Sequence, residues 1–148
     1  MTMARTYHLG RWRRLRNKLV KSLRRVGLGP RHTYMLTVQG RRTGRPYSTP
    51  VTLVEEGGQR WLVAPYGEVA WVRNARASRE VILSRGRRLE RVVLFDVEPV
   101  EAATVLKRYV TQVPITRPFF DVTSESGLDA LVAEAPRHPV FLLVSEDE

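Results

Sequence analysis

Residues 36–50 read LTVQGRRTGRPYSTP, which is a strand-like run, a turn rich in glycine and arginine, and the start of a second run. Tyr34 to Gln39 and Tyr47 to Glu55 show the short apolar runs and period-two alternation of β-strands. Gly57-Gly58 then predicts a hairpin turn into a third strand, Gln59 to Ala64. This part of the chain therefore predicts antiparallel strands joined by short turns.

The rest of the chain predicts three further strands and three helices. The pattern indicates a short helix, a hairpin around Arg85-Gly86-Arg87, a second helix, a loop holding Pro114 and Pro118, a last helix with Ser124 as its N-cap, and a closing strand. Six strands with peripheral helices predict an α+β fold built on a small antiparallel barrel. The predicted elements are Val69–Ala77, Glu80–Ser84, Leu89–Val97, Val100–Gln112, Ser124–Ala135 and Pro139–Ser145.

The length predicts one domain with an N-terminal extension, because 148 residues and 17.0 kDa fit a single core. From Trp12 to Val26 the apolar residues recur every three or four positions, with cations on the opposite side. We therefore assign residues 1–30 to a basic amphipathic helix and residues 31–148 to the barrel. Two interpretations of the helix stay open: its apolar stripe packs on the barrel, or residues 11–26 lie on an anionic membrane surface.

The charge distribution is one-sided. The formal net charge is +10, and 13 Lys+Arg precede the first acidic residue, Glu55. Such a field attracts polyanions, which include nucleic acid, anionic lipid and a phosphorylated cofactor. A non-enzymatic basic module for nucleic acid or membrane is therefore one alternative, although the aromatic residues are not interleaved with the cations as base stacking requires.

Composition excludes several classes of protein. Cysteine is absent, which excludes disulfide scaffolds and thiol catalysis, and the three histidines are far apart, so we predict no metal site. No apolar run approaches the roughly 20 residues that span a bilayer, and the arginine-rich N-terminus does not have the pattern of a secretory signal. We expect a cytoplasmic protein, with attachment to the inner face of the cell membrane as the alternative.

Two segments carry the chemistry. In the turn from Gly40 to Pro46, arginine forks match phosphate oxygens and the glycines let the backbone approach a ligand, which predicts an anion cradle at the barrel rim. The alternative is a solvated hairpin turn. Further on, Ala64 to Gly67 is a strand end running into a glycine turn, where backbone N–H groups can face a ring system. Trp71, Asn74 and Arg76 follow on the short helix, where core packing and helix capping are the alternative roles.

Together, residues 36–50 and residues 71–77 (WVRNARA) resemble the two signatures of the deazaflavin-dependent nitroreductase family. The resemblance implies a split β-barrel like that of the FMN-binding oxidoreductases. It also implies that the chain binds coenzyme F420 and passes a hydride from the reduced deazaflavin to a hydrophobic acceptor such as a quinone or nitroaromatic. Relatives on this barrel also use FMN, FAD or haem, so an FMN- or FAD-binding oxidoreductase stays an alternative.

The resemblance also implies roles for individual residues. The turn would hold the phosphate of the cofactor, the strand end would border the deazaflavin ring, and the second signature would line the pocket. Tyr66, Tyr109 or a water would protonate the reduced acceptor, and Phe119 and Phe120 would line the acceptor pocket. Core packing is the alternative role of Tyr109 and the two phenylalanines. Where many relatives have arginine this chain has Tyr47. The oligomeric state stays open, with a homodimer as the alternative that the analogy with other split barrels suggests. The implied cofactor-binding residues are Arg41, Arg42, Thr43, Gly44, Arg45, Pro50, Ala64, Pro65, Tyr66, Trp71, Asn74 and Arg76.

Overall fold

The computed structural model describes residues 33–146. The predicted basic helix over residues 11–26 lies outside them, so the assignment of residues 1–30 stays a prediction. The described elements in chain order are β1 (Thr33–Gln39), β2 (Pro46–Glu56), β3 (Gln59–Val63), α1 (Ala70–Ser78), β4 (Glu80–Arg85), β5 (Arg88–Asp96), α2 (Pro99–Gln112), a 3-10 segment (Pro114–Phe119), α3 (Leu128–Glu134), a second 3-10 segment (Ala135–Arg137) and β6 (Val140–Ser145).

The six strands close into an antiparallel barrel in the order β1-β2-β3-β6-β5-β4, which confirms the predicted fold class. The hairpin glycines Gly57, Gly58 and Gly86 all have positive φ, which favours the tight turns between neighbouring strands. Closure comes from the pairing of β1 with β4 and of β6 with both β3 and β5. The sheet therefore leaves no unpaired edge strand within the described residues.

Two apolar clusters form the core. Alternate side chains of the strands fill the barrel interior, as the period-two pattern predicts. The second cluster lies outside the barrel, where α2 presents Leu106, Tyr109 and Val110 toward Trp61 and Val63 of β3. The interior set includes Leu36, Val38, Leu53, Leu62, Val81, Leu83, Val92, Leu94, Phe141 and Leu143.

The last helix begins later than the sequence predicts. The prediction that Ser124 caps a helix over Ser124–Ala135 is wrong, because α3 starts at Leu128 with Gly127 as its N-cap. Residues 123–126 instead close a local turn: the Thr123 N–H donates to Ser126 Oγ at 2.8 Å and the Ser126 N–H to the Thr123 carbonyl at 3.1 Å. Hydroxyl side chains that bond the nearby backbone compete with helix formation.

The proline-bracketed loop predicted after α2 forms a 3-10 segment, and that segment places Thr116 beside Tyr109. Among residues 33–146, no helix is both long enough and apolar enough to cross a membrane.

Truncating a side chain inside the barrel should cost far more stability than truncating one outside. Phe141 is 0% exposed, whereas Phe95 on the neighbouring strand is 50% exposed. We expect Phe141→Ala to lower the free energy of unfolding by about 3–5 kcal/mol, and Phe95→Ala by well under half of that. Urea unfolding followed by circular dichroism measures both. Equal losses would contradict the assignment of Phe141 to the interior.

Candidate cofactor and acceptor site

The turn between β1 and β2 is closed by its own backbone. The Gly40 N–H donates to the Arg45 carbonyl at 2.7 Å, and the Gly44 N–H donates to the Gly40 carbonyl at 2.9 Å. Thr43 Oγ1 accepts the Arg45 N–H at 3.2 Å. Gly44 has φ of 73°, a conformation that favours glycine. These bonds give the turn one defined shape and leave its arginine side chains exposed.

Gly40 is the position where the turn comes closest to its surroundings. A Cβ atom there would lie 2.8 Å from Cε2 of Tyr47 and 3.2 Å from the Arg45 carbonyl oxygen. Tyr47 is half exposed and lies beside the turn. Glycine at position 40 therefore lets the ring of Tyr47 pack against the turn.

Asn74 of α1 attaches the turn to the helix. Its Oδ1 accepts the backbone N–H of Arg41 at 3.1 Å and the Arg41 Nη1 at 2.7 Å. Asn74 is buried, and an unsatisfied buried amide oxygen is costly, so the two bonds favour a single position of the turn relative to α1. Asn74 thus binds the turn itself, a role that the sequence did not predict.

A first cavity of about 440 Å³ lies between the turn and α1. No carboxylate lines it, and Arg42 and Arg45 form no ion pair within residues 33–146. The backbone N–H groups of Arg42 and Thr43 also have no acceptor in that part of the chain. Unpaired guanidinium groups and free N–H groups are the donors that a phosphate takes. The residues lining this cavity are Gly40, Arg41, Arg42, Thr43, Tyr47, Ala70, Trp71 and Asn74.

A second cavity of about 280 Å³ adjoins the first at Trp71, which lines both. Its walls are mainly apolar and aromatic, which suits a ring system or a hydrophobic acceptor. Pro50, the pair Pro65-Tyr66, and Tyr109 come together here from three different segments of the chain. The cavity is lined by Thr33, Thr49, Pro50, Val51, Thr52, Val63, Pro65, Tyr66, Val69, Trp71, Tyr109, Val113, Ile115 and Thr116.

Tyr109 is the titratable group of this second cavity whose properties the fold changes most. Burial raises the pKa of Tyr109 to about 12, a hydrogen bond with the Thr116 side chain acts in the opposite direction, and the charge of Tyr66 adds to the increase. At neutral pH the phenol therefore keeps its proton. A protonated phenol at a cavity wall can donate a hydrogen bond or a proton to a bound acceptor.

The strand end at Ala64 is hydrogen-bonded to Pro139, the residue before β6. The Ala64 N–H donates to the Pro139 carbonyl at 2.8 Å, and the Gly67 N–H donates to the Ala64 carbonyl at 3.3 Å. The expectation that these N–H groups face a ring system is therefore not met at Ala64 and Gly67, since both are already used. Ala64 is buried in the barrel interior, while Pro65 and Tyr66 face the second cavity.

Arg76 lies apart from the other predicted residues. It pairs with Glu68 at 3.0 Å and with Asp96 at 3.3 Å, and its guanidinium lies over the ring of Phe141. It lines a separate cavity with Pro99 and Pro139 and neither of the two cavities described above. Because α1 turns about 100° per residue, Asn74 and Arg76 point in different directions.

The two phenylalanines at the end of the 3-10 segment take different positions. Phe119 is half exposed and packs edge-to-face on Tyr66, with ring centroids 4.6 Å apart. Phe120 is buried, stacks on His138 at 3.9 Å and touches Tyr109 at 6.1 Å between centroids. Phe119 thus lies at the surface beside the second cavity. Phe120 lies in the core, where it packs with Tyr109.

Several lining residues were not singled out from the sequence. Thr49, Val69, Ile115 and Thr116 contribute to the second cavity. The segment from Pro114 to Pro118 was predicted as a loop, and its two prolines were a signal that it would hold a fixed shape. Nothing local in the sequence indicated that the hydroxyl of Thr116 would contact Tyr109.

This fold and these cavities define an antiparallel barrel with a cationic site beside an aromatic one. The F420H(2)-dependent quinone reductase family model matches residues 8–135, which is most of the chain. The chain belongs to this family, and it is an F420-dependent oxidoreductase with coenzyme F420 as its cofactor. A comparison with curated proteins finds no match.

Solved structures show the same barrel. An F420-H2 dependent reductase, FDR-A, has 21% identity and a TM-score of 0.56, with 80% of this chain and 100% of that chain covered. A structure described as a domain-swapped dimer has 20% identity and a TM-score of 0.58, with coverage of 91% and 98%. Atu2129 of Agrobacterium tumefaciens str. C58, of unknown function, has 17% identity, a TM-score of 0.55 and coverage of 78%, and this chain spans 48% of its length. At these identities the likeness concerns the fold alone.

Removing the amide of Asn74 should loosen the turn. We expect Asn74→Ala to lower the free energy of unfolding by about 1–3 kcal/mol, because two donors of Arg41 lose their acceptor. Arg73→Ala is the matched control on the exposed side of the same helix and should change stability by no more than about 0.5 kcal/mol. Chemical denaturation of both variants checks this. Equal effects would mean that Asn74 does not hold the turn.

The raised pKa of Tyr109 predicts a loss of stability at alkaline pH. An unfolded tyrosine ionises at pH ~10, whereas the pKa of Tyr109 in the folded protein is about 12. The contribution of Tyr109 to the free energy of unfolding is therefore complete below pH ~10 and is lost as the pH rises toward about 12. The difference in urea midpoint between the wild type and Tyr109→Phe should therefore be smaller at pH 11 than at pH 8. A difference that does not change with pH would contradict the raised pKa.

Proposed function

We propose that the chain transfers a hydride from reduced F420 to a hydrophobic acceptor, such as a quinone or a nitroaromatic, at a site formed by the two adjoining cavities. The observation that carries this proposal is that the carboxylate-free cationic cavity and the aromatic cavity share Trp71. The first suits the anionic part of the cofactor, and the second suits flat, apolar rings. Adjoining cavities let one cofactor molecule place its phosphate in the first and its ring beside the acceptor in the second, and donor and acceptor must lie face to face for hydride transfer.

The residues of the turn would hold the phosphodiester. Arg42 lines the cavity and offers a guanidinium fork without a competing carboxylate, Arg45 belongs to the same turn but not to the lining, and the N–H groups of Arg42 and Thr43 are free within residues 33–146. Gly44 and Asn74 fix the shape and position of the turn, and Arg41 lines the cavity while bound to Asn74. The donor set therefore fits the anionic part of F420, and no arginine at position 47 is needed for this fit.

The aromatic cavity would hold the deazaflavin ring and the acceptor. Pro50, Pro65, Tyr66 and Trp71 supply apolar walls, and Phe119 extends the wall outward from Tyr66. When bound, reduced F420 supplies the hydride, and the acceptor then also takes up a proton. The protein contributes orientation and a water-poor environment rather than a catalytic dyad.

Tyr109 is the proposed source of that proton or of a hydrogen bond to the acceptor. Its phenol lines the aromatic cavity, and its raised pKa keeps the proton on the oxygen at neutral pH. Tyr66 is 56% exposed and stands at the mouth of the same cavity, where it or a water is the alternative donor. Phe120 packs behind Tyr109 and fixes the ring that carries the phenol.

The proposed acceptor is lipophilic, which agrees with peripheral attachment of the protein to a membrane surface. The support is the cation-rich sequence of residues 11–26, which lie outside the described residues. About 1 kcal/mol per cation near an anionic leaflet is enough for peripheral attachment. A homodimer stays a prediction.

Arg42→Ala should weaken cofactor binding. Loss of a charge-assisted contact to phosphate costs about 1–3 kcal/mol, which raises the dissociation constant of F420 by roughly 5- to 150-fold. Arg87→Ala removes the same charge from the exposed turn of the β4–β5 hairpin and is the matched control. Fluorescence titration with F420 at low salt measures both. An unchanged affinity in Arg42→Ala would mean that the turn is merely solvated.

The reaction itself is tested with wild-type protein, reduced F420 and a soluble naphthoquinone. We expect the absorbance of oxidised deazaflavin to appear only when protein, cofactor and quinone are all present. Binding without turnover of any quinone or nitroaromatic would contradict the proposed acceptor class, and it would leave the cofactor site intact.

A further inference from the structure

A buried pair of side chains lies directly behind the aromatic cavity and has no part in the proposed reaction. Glu134 at the end of α3 is 5% exposed and His138 is 3% exposed. His138 Nε2 lies 2.6 Å from Glu134 Oε2, and His138 Nδ1 lies 2.8 Å from the carbonyl oxygen of Pro65. Burying a polar side chain costs free energy unless the side chain is hydrogen-bonded, so both side chains must have hydrogen-bond partners here.

The partners of the imidazole fix where its hydrogens are. A carbonyl oxygen only accepts, so Nδ1 must carry the hydrogen that it donates to Pro65. Nε2 and Oε2 then share a second hydrogen at short distance. Glu134 Oε2 also accepts the backbone N–H of Asp121 at 3.2 Å, and Glu134 Oε1 lies 3.3 Å from Arg137 Nη1. The carboxylate therefore orients the ring, and the ring holds the Pro65 carbonyl.

The same imidazole is also fixed from its face. Phe120 stacks on it with ring centroids 3.9 Å apart and an interplanar angle of 25°, and Phe120 in turn touches Tyr109. Beside it, the Ala64 N–H bonds the Pro139 carbonyl, and a Cβ at Gly67 would lie 3.3 Å from the Arg137 carbonyl oxygen. Residues 64–67 and 137–139 thus run in close contact, with His138 as the side chain that joins them.

We propose that His138 is a positioning residue: oriented by Glu134, it holds the Pro65–Tyr66 wall of the aromatic cavity at the distance that hydride transfer needs. This inference rests on the proposed function, because it assigns that wall to the ring and the acceptor. His138 does not line the cavity and touches neither reactant. Its effect is on geometry, and a displacement of about 1 Å at reacting groups costs on the order of a hundredfold in rate.

Two amide substitutions separate the two hydrogen bonds of the ring. In His138→Asn the amide nitrogen lies near the place of Nδ1 and still reaches Pro65, while Glu134 loses its partner. In His138→Gln the longer side chain reaches Glu134, and the bond to Pro65 is lost. Both variants lose the stacking on Phe120, so we expect similar losses of stability. We expect kcat of His138→Gln to fall roughly ten- to a hundredfold and kcat of His138→Asn to stay within about threefold of the wild type.

Further readouts distinguish positioning from a purely structural role. The dissociation constant of F420, which depends on the arginine turn, should change less than threefold in both variants. In cofactor-free protein, the Tyr66 and Gly67 amide signals in ¹H–¹⁵N NMR spectra should shift in His138→Gln and much less in His138→Asn. Arg60→Gln is the stability control, because it breaks the ion pair with Glu90, and Arg60 lines neither cavity. It should lower stability and leave kcat unchanged.

The outcomes are decisive in each case. Equal kcat values for His138→Asn and His138→Gln would overturn the proposal, and so would an unshifted Tyr66 signal in His138→Gln. Should neither variant fold, the wild-type spectrum decides, since the Nδ1 of His138 must carry a slowly exchanging hydrogen, and an Nδ1 without one overturns the proposal. Wild-type protein that fails to oxidise reduced F420 with any acceptor contradicts the proposed function instead, and the NMR result still tests the hydrogen bond to Pro65.

Discussion

The amide oxygen of Asn74 is the constraint on which the site depends. It accepts the backbone and the guanidinium of Arg41 together, and so it joins the turn between β1 and β2 to helix α1. Without this link the turn would be a basic hairpin loop free to move. With it, the donors of Arg42 and Thr43, which have no partner among residues 33–146, lie across a cavity from Trp71, and Trp71 leads into the aromatic cavity. One buried side chain therefore sets the distance between the cationic and the aromatic parts of the site.

The barrel separates stability from function. Its interior is filled by aliphatic side chains and Phe141, which leave no room for a ligand there. The two cavities lie outside, where the strands meet the turn, α1, α2 and the 3-10 segment Pro114–Phe119. Loops and short helices on a rigid sheet are where binding residues are usually found. The family relationship to F420H(2)-dependent quinone reductases agrees with this arrangement, because the cofactor carries the chemistry and the protein supplies position.

The strands and the basic turn could be predicted from the sequence because period-two alternation and glycine turns are local signals. The start of α3 could not, since the Ser126 hydroxyl accepts the Thr123 N–H and the Thr123 hydroxyl accepts the Glu125 N–H, and these bonds compete with the cap assigned to Ser124. Asn74 and Arg76 lie two residues apart in one motif, yet Asn74 holds the turn and Arg76 pairs with Glu68 and Asp96. Which side chain meets which partner depends on tertiary packing, and no local pattern encodes it.

The most direct test of the central claim is a crystal structure of the protein with bound F420. We predict phosphodiester oxygens within hydrogen-bond distance of the Arg42 guanidinium and the Thr43 N–H, with the deazaflavin ring against Trp71 and Pro65. A phosphate bound elsewhere, with the Gly40–Arg45 turn facing solvent, would contradict the account.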